Sequence, residues 1–338
     1  MPEPDWYSAI EPPLWSRVLA AAYGGVLAMR RALYGRGLLH AARAPVPVIV
    51  VGNLTAGGTG KTPLTAWLVE RLRASGHRPG IASRGFGRST RGLLDVEPDD
   101  LPARVGDEPL MLRRQTGAPV CVAARRVDAA RRLAERGCDV VVCDDGLQHL
   151  ALLRDFEICV VDGVRGFGNG RLLPAGPLRE RPARLKSVNA IVMNGSGPGE
   201  VVAKLAPGVR CLTMILQPAA LLPLAGTSEL SLAELTGREI HAVAGIGNPD
   251  RFFTQLERLG ARVTAHAFPD HHAFQPADIR FTDDRPVILT AKDAVKCAVF
   301  ADARHYVLTV RAQFAPADDA WLVERICALI GTEGSRRD

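Results

Sequence analysis

The run Val48-Ile49-Val50-Val51-Gly52-Asn53-Leu54-Thr55-Ala56-Gly57-Gly58-Thr59-Gly60-Lys61-Thr62 restricts this chain to few folds. An unbroken apolar strand enters a glycine-rich turn, and a Lys-Thr pair then opens a helix. Glycines let backbone N–H groups crowd around phosphate oxygens, and a helix N-terminus adds positive partial charge. Lys61 has the reach for β- and γ-phosphates, and the Thr62 hydroxyl suits a Mg²⁺ ligand. The segment predicts a nucleotide cradle made of Thr55, Ala56, Gly57, Gly58, Thr59, Gly60, Lys61 and Thr62. Such loops usually begin with Gly where Thr55 stands, and Gly57 and Gly58 supply the same freedom. Leu64, Trp67, Leu68 and Leu72 recur at helical spacing and predict a packed helix over 61–74.

Beyond Pro45, apolar runs at 47–52, 79–83, 119–123, 139–143, 156–161 and 189–193 alternate with helical patterns. A second alternation has strands near 211–216, 240–245, 262–267, 286–290 and 305–310, with helices near 249–259, 292–301 and 318–331. Apolar strands alternating with helices indicate a mostly parallel sheet covered on both faces. The expected class is α/β: a P-loop NTPase-like sheet, a smaller C-terminal α/β domain and an N-terminal amphipathic helix. The expected divisions are an N-terminal segment 1–44, a core 45–222 and a smaller C-terminal α/β domain 223–338. Residues 87–106 read as a polar surface excursion, and 194–210, with Gly195, Gly197, Pro198 and Gly199, as a loop.

A chain of 338 residues with 47% hydrophobic content has enough apolar material for two cores. Its seven cysteines show no Cys-x-x-Cys spacing and fall mostly in apolar runs, which predicts reduced thiols and a cytosolic compartment. The net charge of +6 is unevenly spread, with no Asp or Glu from Pro12 to Val69. Within that window the apolar run Val18–Met29 is too short to span a bilayer and is flanked by Arg17 and Arg30. With Trp6, Trp15, Tyr23 and Tyr34 nearby it reads as an interfacial helix on an anionic leaflet. The rival reading is a helix packed on the protein's own core.

Val140-Val141-Val142-Cys143-Asp144-Asp145-Gly146-Leu147-Gln148-His149 ends a buried strand in two carboxylates, which suits Asp144 and Asp145 to the Mg²⁺ region. Asp107 opens an apolar helix, either as an N-cap or as a general base. Arg131, Arg132 and Arg136 read as a solvated helix face. The tract from Arg165 to Glu180 is glycine-rich and basic and fits a loop shaped around a phosphate-bearing ligand. Nucleic acid is a poor fit, because aromatic residues are only 5% and form no stacking platform. Asp270-His271-His272 is a candidate acid/base element, and Lys292 and Lys296 are candidates to face the nucleotide.

These motifs together resemble the tetraacyldisaccharide 4′-kinase family, the lipid A kinases of Gram-negative bacteria. The likeness rests on the Gly52–Pro63 loop, Ser83-Arg84-Gly85-Phe86-Gly87, Gly106-Asp107-Glu108-Pro109 and Asp144-Asp145-Gly146-Leu147-Gln148-His149. Phe167-Gly168-Asn169-Gly170, Leu173–Glu180 and Lys292-Asp293-Ala294-Val295-Lys296 extend it. The family shares Thr55; one departure is Ala291, where a member carries Glu. The resemblance implies transfer from ATP, with Mg²⁺, to the 4′-hydroxyl of tetraacyldisaccharide 1-phosphate, giving lipid IVA. It implies a catalytic Asp107 paired with His271, Lys61 on the phosphates, and a Mg²⁺ region of Thr62, Asp144, Asp145 and Glu180. Arg126, Gln148, His149, Asn169 and Arg171 are the expected substrate contacts. The implied setting is peripheral, on the cytoplasmic face of the bacterial inner membrane, with a lipid disaccharide as substrate and no obligate protein partner. Rival classes are a membrane-docking ATPase switch and a cytosolic small-metabolite kinase.

Overall fold

The computed structural model of the chain describes residues 6–8, 10–197, 199–227 and 230–334. Pro198 and parts of the expected terminal segments (1–5, 9, 228–229 and 335–338) lie outside the described residues. In chain order, α1 (Leu14–Gly35) precedes β1 (Val48–Gly52), α2 (Lys61–Ala74), β2 (Pro79–Ser83) and β3 (Leu94–Val96). Next come α3 (Pro102–Val105), α4 (Asp107–Thr116), β4 (Val120–Val122), α5 (Arg126–Glu135), β5 (Val140–Asp144) and β6 (Phe156–Asp162). They are followed by β7 (Ala190–Asn194), α6 (Gly199–Leu205), β8 (Arg210–Pro223), β9 (Glu239–Ala244) and α7 (Pro249–Arg258). The chain continues through β10 (Arg262–Ala267), α8 (Pro276–Ile279), β11 (Val287–Thr290), α9 (Ala291–Cys297), β12 (His305–Phe314) and α10 (Pro316–Gly334).

The strands form one twelve-stranded sheet in the order β10-β9-β11-β12-β8-β7-β6-β1-β5-β2-β4-β3. β1, β5, β6 and β7 are buried along their whole lengths, the condition that selects continuous Val and Ile runs when helices cover both faces. β1 lies parallel between β5 and β6, and β7 runs parallel to β6. The C-terminal ends of these four strands therefore deliver Gly52, Asp144, Asp162 and Asn194 to one edge, where ligands of parallel sheets collect.

β8 is the joint of the molecule. Its first residues, 210–214, run parallel to β7, and its later ones, 214–223, run antiparallel to β12. The expected division at 222/223 thus coincides with the end of a strand that belongs to both halves. α10 returns to the first half, where Leu322, Ile326 and Ile330 share a core with Leu64, Trp67 and Leu68 of α2. Leu322 and Ile326 are fully buried, each contributing roughly 2 kcal/mol of transfer free energy. The rings of Trp67 and Phe314 lie 4.6 Å apart, and Arg71 pairs with Asp319.

Four local expectations change. The 87–106 excursion contains β3, an edge strand antiparallel to β4, and the short α3. Arg132 and Arg136, expected only to face solvent, ion-pair with Asp95 of β3 at 2.8 and 3.2 Å and tether that edge. The 194–210 loop holds α6, which buries Val202. β8 also outruns its expected length, because antiparallel pairing with β12 extends it where the local sequence alternates only weakly.

α1 turns an unusual side inward. Ser16, Ala20 and Gly24 are its buried residues, while Leu14, Trp15, Val18, Leu19, Val26 and Met29 are all more than half exposed. Two polar ties hold it: Tyr23 Oη donates to the Arg179 carbonyl at 3.1 Å, and Arg31 reaches Glu180 at 3.4 Å. Among the described residues no helix is long and apolar enough to cross a membrane.

Candidate active site

A cleft of about 910 Å³ opens at the C-terminal edge of β1 and β5. That volume is at the upper end of ordinary ligand sites, enough for a nucleotide with the head of a second substrate. Residues 57–62 form one wall, and Tyr23 and Arg30 of α1 contribute to another. Gly60 caps α2 with φ 95°, the left-handed region that glycine enters without strain, and Gly57 has φ 94°. Thr55 and Ala56 do not line the cleft. Thr55 bridges Leu178, and the Ala56 N–H donates to the Pro177 carbonyl at 2.7 Å.

Those ties redefine the 165–180 tract, which braces the nucleotide loop from behind. The Arg179 N–H donates to the Leu54 carbonyl at 2.7 Å, while the Arg179 guanidinium holds both Asp145 oxygens at 3.0 and 2.9 Å. Asn169 spends its amide inside the tract, donating to the Ala175 carbonyl and accepting from the Arg171 N–H. Arg171 pairs with Glu11 at 3.1 Å. Neither Asn169 nor Arg171, both expected on substrate, lines the cleft. Glu180, expected beside the metal, is buried off the cleft wall, with Gln148 at 3.0 Å, Arg31 at 3.4 Å and Arg184 at 3.8 Å.

Asp144 and Asp145 do line the cleft. Thr65 Oγ1 donates to Asp144 Oδ1 at 3.0 Å. Burial, then the nearby Glu108, pushes the Asp144 carboxyl up to about 7 against the pull of Lys61. Burial also opposes ionisation of Asp145, but Lys61, 3.8 Å away, and Arg179 outweigh it and hold that carboxyl below its usual range. Asp145 is already offset by Arg179 and Lys61, whereas the buried Asp144 carboxyl ionises reluctantly and shares the cleft with the Thr62 hydroxyl, a pair of hard-oxygen donors. Mg²⁺ fits it. Among the described residues no group of three His, Cys, Asp or Glu side chains is placed to hold a metal ion.

Asp107 is the first residue of α4, with Gly106 in the capping position, so its carboxylate is not the cap. The carboxylate is nearly buried, 7% exposed, directly behind His271, whose Nδ1 lies 3.4 Å from Asp107 Oδ2. Burial works against the Asp107 charge, but the hydrogen bond from His271 and the charge of Lys292 prevail and lower its pKa. The same hydrogen bond raises the His271 pKa against burial and the repulsion of Lys292. His271 holds φ 63°, a rare conformation for a side-chain-bearing residue, and its ring packs 4.9 Å from Phe86. His272 is turned elsewhere, to Asp278 at 3.0 Å and between Phe268 and Phe274. Of the two histidines, His271 lines the cleft.

Arg126 is 4% exposed, lines the cleft, and its Nε has no hydrogen-bond partner among the described residues. Its backbone N–H donates to His149 Nε2 at 3.4 Å. Burial, then Arg126, Arg154, Arg30 and Arg84, lowers His149 to about 4, so it is neutral at physiological pH. Gln148 bridges the Asn53 carbonyl, at 2.9 Å, to Glu180. Lys292 is the candidate cation that the cleft adopts: its Nζ lies 2.9 Å from Asp270, 3.4 Å from Glu108 and 3.3 Å from His271 Nε2. Asn194 and Arg251, which also line the cleft, were not singled out from sequence. A polar residue closing an apolar strand was the one signal for Asn194, which ends β7 as Asp144 ends β5; Arg251, inside α7, had none.

The family model for tetraacyldisaccharide-1-P 4′-kinase matches residues 13–328. A tetraacyldisaccharide 4′-kinase of Alkalilimnicola ehrlichii is 52% identical over 311 residues, covering 90% of this chain and 91% of its own. One from Stenotrophomonas maltophilia is 48% identical over 324 residues, covering 96% of each. Among solved structures, LpxK from Aquifex aeolicus in complex with ATP superposes with a TM-score of 0.78 at 28% identity, over 92% of this chain and 97% of that one.

Proposed function

This chain belongs to the tetraacyldisaccharide-1-P 4′-kinase family, and from that premise we propose how its cleft performs the reaction. The activity itself is ATP-dependent phosphorylation of the 4′-hydroxyl of tetraacyldisaccharide 1-phosphate in lipid A synthesis. Phosphoryl transfer asks a protein mainly to position and to stabilise charge, since the transition state is loose. Backbone N–H groups of 57–61 and the Lys61 ammonium would receive the triphosphate. Arg126, with an unpartnered donor in a buried setting, would take an anionic group of the acceptor.

One observation carries the mechanism: His271 and Asp107 pair at 3.4 Å on the cleft that the nucleotide loop lines. As the acceptor oxygen bonds to the γ-phosphorus and ADP leaves, the hydroxyl proton passes to this pair. Lys292 steadies the pair by offsetting Asp270 and Glu108. Thr62 and Asp144, with Asp145 beside them, would hold Mg²⁺, which when bound supplies charge neutralisation at the phosphates. Glu180 would act at one remove, by fixing Gln148.

Because Tyr23 and Arg30 of α1 line the same cleft, the helix whose apolar face is exposed also borders the acceptor space. That supports a peripheral enzyme which rests α1 on the inner-membrane surface and draws its lipid head in sideways. The direct test is incubation with ATP, Mg²⁺ and the disaccharide lipid, followed by mass analysis. The lipid should gain one phosphate; ATP consumption with unchanged lipid would contradict the reading.

A further inference from the structure

Asn194 closes β7 with a side chain only 1% exposed, and both ends of its amide are engaged. Nδ2 donates to the Thr59 carbonyl at 2.9 Å, and Oδ1 accepts from Arg251 Nη2 at 2.8 Å. The approach is so close that a Cβ on Gly60 would come within 2.4 Å of Asn194 Nδ2. In a trans peptide the carbonyl and the following N–H point to opposite sides. Drawing the Thr59 oxygen toward Asn194 therefore turns the Gly60 N–H away from Asn194.

Arg251 comes from α7 in the other half of the chain. Its Nη1 also lies 3.6 Å from Asp162 Oδ2. Asp162 Oδ1 in turn accepts from the backbone N–H groups of Val164 and Arg165, both at 2.9 Å. Arg165 then reaches back across the seam to the Gly247 carbonyl at 2.7 Å. Two guanidinium groups thus cross the seam in opposite directions, organised by one buried aspartate.

We propose that Asn194 and Arg251 are positioning residues for the triphosphate, a latch by which the segment 245–258 sets the Thr59–Gly60 peptide. The inference rests on reading that loop as the nucleotide site. By linkage, whatever shifts the seating of α7 changes ATP affinity, and bound ATP holds α7 in place by the same factor.

The test is calorimetric ATP binding with steady-state kinetics on the full chain. Asn194→Ala should weaken ATP about tenfold and raise its KM, with kcat at saturating ATP falling less than about threefold. Asn194→Ala combined with Arg251→Ala should bind ATP no more weakly than Asn194→Ala alone, because both act through one peptide. ATP affinity within about twofold of the parent for Asn194→Ala, or a double variant whose loss is the product of the single losses, would overturn the latch. Should Asn194→Ala fail to fold, the Arg251 variants carry the test, since that side chain is 38% exposed. Arg251→Lys should lose as much affinity as Arg251→Ala, because one ammonium cannot span Asn194 and Asp162; full recovery with Lys would also overturn it. Lys61→Ala separates the two readings: if it binds ATP as tightly as the parent, the nucleotide site is misplaced, whatever the latch variants do.

Discussion

His271 presents Nδ1 to the Asp107 carboxylate at 3.4 Å while Lys292 Nζ stands 3.3 Å from its Nε2. An ammonium can only donate, so Nε2 accepts and the ring proton of neutral His271 resides on Nδ1, facing Asp107. Protonating the ring would strengthen the pairing with Asp107 and break the one with Lys292. The histidine is therefore poised between two partners on α4 and α9, helices that come from the two halves of the chain and meet at the cleft.

Asp107→Asn keeps the shape of the pair and removes its basicity. The expected outcome is a fall in kcat of roughly 10²–10⁴. ATP affinity, measured by calorimetry, should stay within about twofold of the parent, because Asp107 lies behind His271 and not on the nucleotide loop. Parallel loss of ATP binding would remove Asp107 from the proposed role.

The His271 pKa is raised by its hydrogen bond to Asp107, so the pair stabilises the fold most when the ring is protonated. That stabilisation is fully present below the ordinary imidazole value of about 6.5 and fades as pH rises through the higher folded value. His271→Gln should cost under about 1 kcal/mol near pH 5.5, the range of partly solvated ion pairs, and almost nothing near pH 9. Melting curves at the two pH values read this directly; equal costs at both would contradict the pairing.

Asp144 behaves in the opposite sense to most carboxylates, with a pKa pushed up to about 7 by burial and then by Glu108. Without a divalent cation its protonated form favours the fold, and that advantage is lost as pH rises from about 4 to about 7. Mg²⁺ added near pH 8 should raise the melting temperature, and much less so near pH 5, where protons compete for the site. Asp144→Asn should flatten both trends. A Mg²⁺ effect undiminished in that variant would place the ion elsewhere.

The outward face of α1 should matter for partitioning and not for folding. Replacing Leu14, Val18 and Met29 with Ser removes exposed apolar groups, and each change should alter stability by less than about 0.5 kcal/mol. Flotation with anionic vesicles should fall several-fold, by roughly the transfer free energy of the lost methylenes. Unchanged flotation would return α1 to the role of a surface helix.

The nucleotide loop, the parallel core and the carboxylates at the end of β5 were legible because each is written locally: an apolar run, a turn residue, a helix start. Asp107 and His271 were linked only by resemblance, since no periodicity joins α4 to the loop before α8. Asn169 and Arg171 lie off the nucleotide cleft, a placement the sequence could not show because a basic glycine-rich tract looks the same whether it wraps a ligand or braces another loop. Asn194 and Arg251 carried no motif, and their relation depends on β7 and α7 meeting across the sheet. β3 was obscured for a similar reason, since its shortness and its tether to Arg132 and Arg136 are tertiary facts.

The sheet passes unbroken through β8 and β12, and the register between those strands slips at Thr309/Val310. A molecule built this way has no swivel. Any narrowing of the cleft must be borne as torsion along two long paired strands, with the slipped register as the most compliant point and α10 clamping the near end against α2. A bar of paired strands is stiffer to shear than to twist, so any approach of the two halves would follow the twist of β8 and β12. In such a motion acceptor and phosphate would be brought into line by bending of paired strands, not by rotation about a free linker.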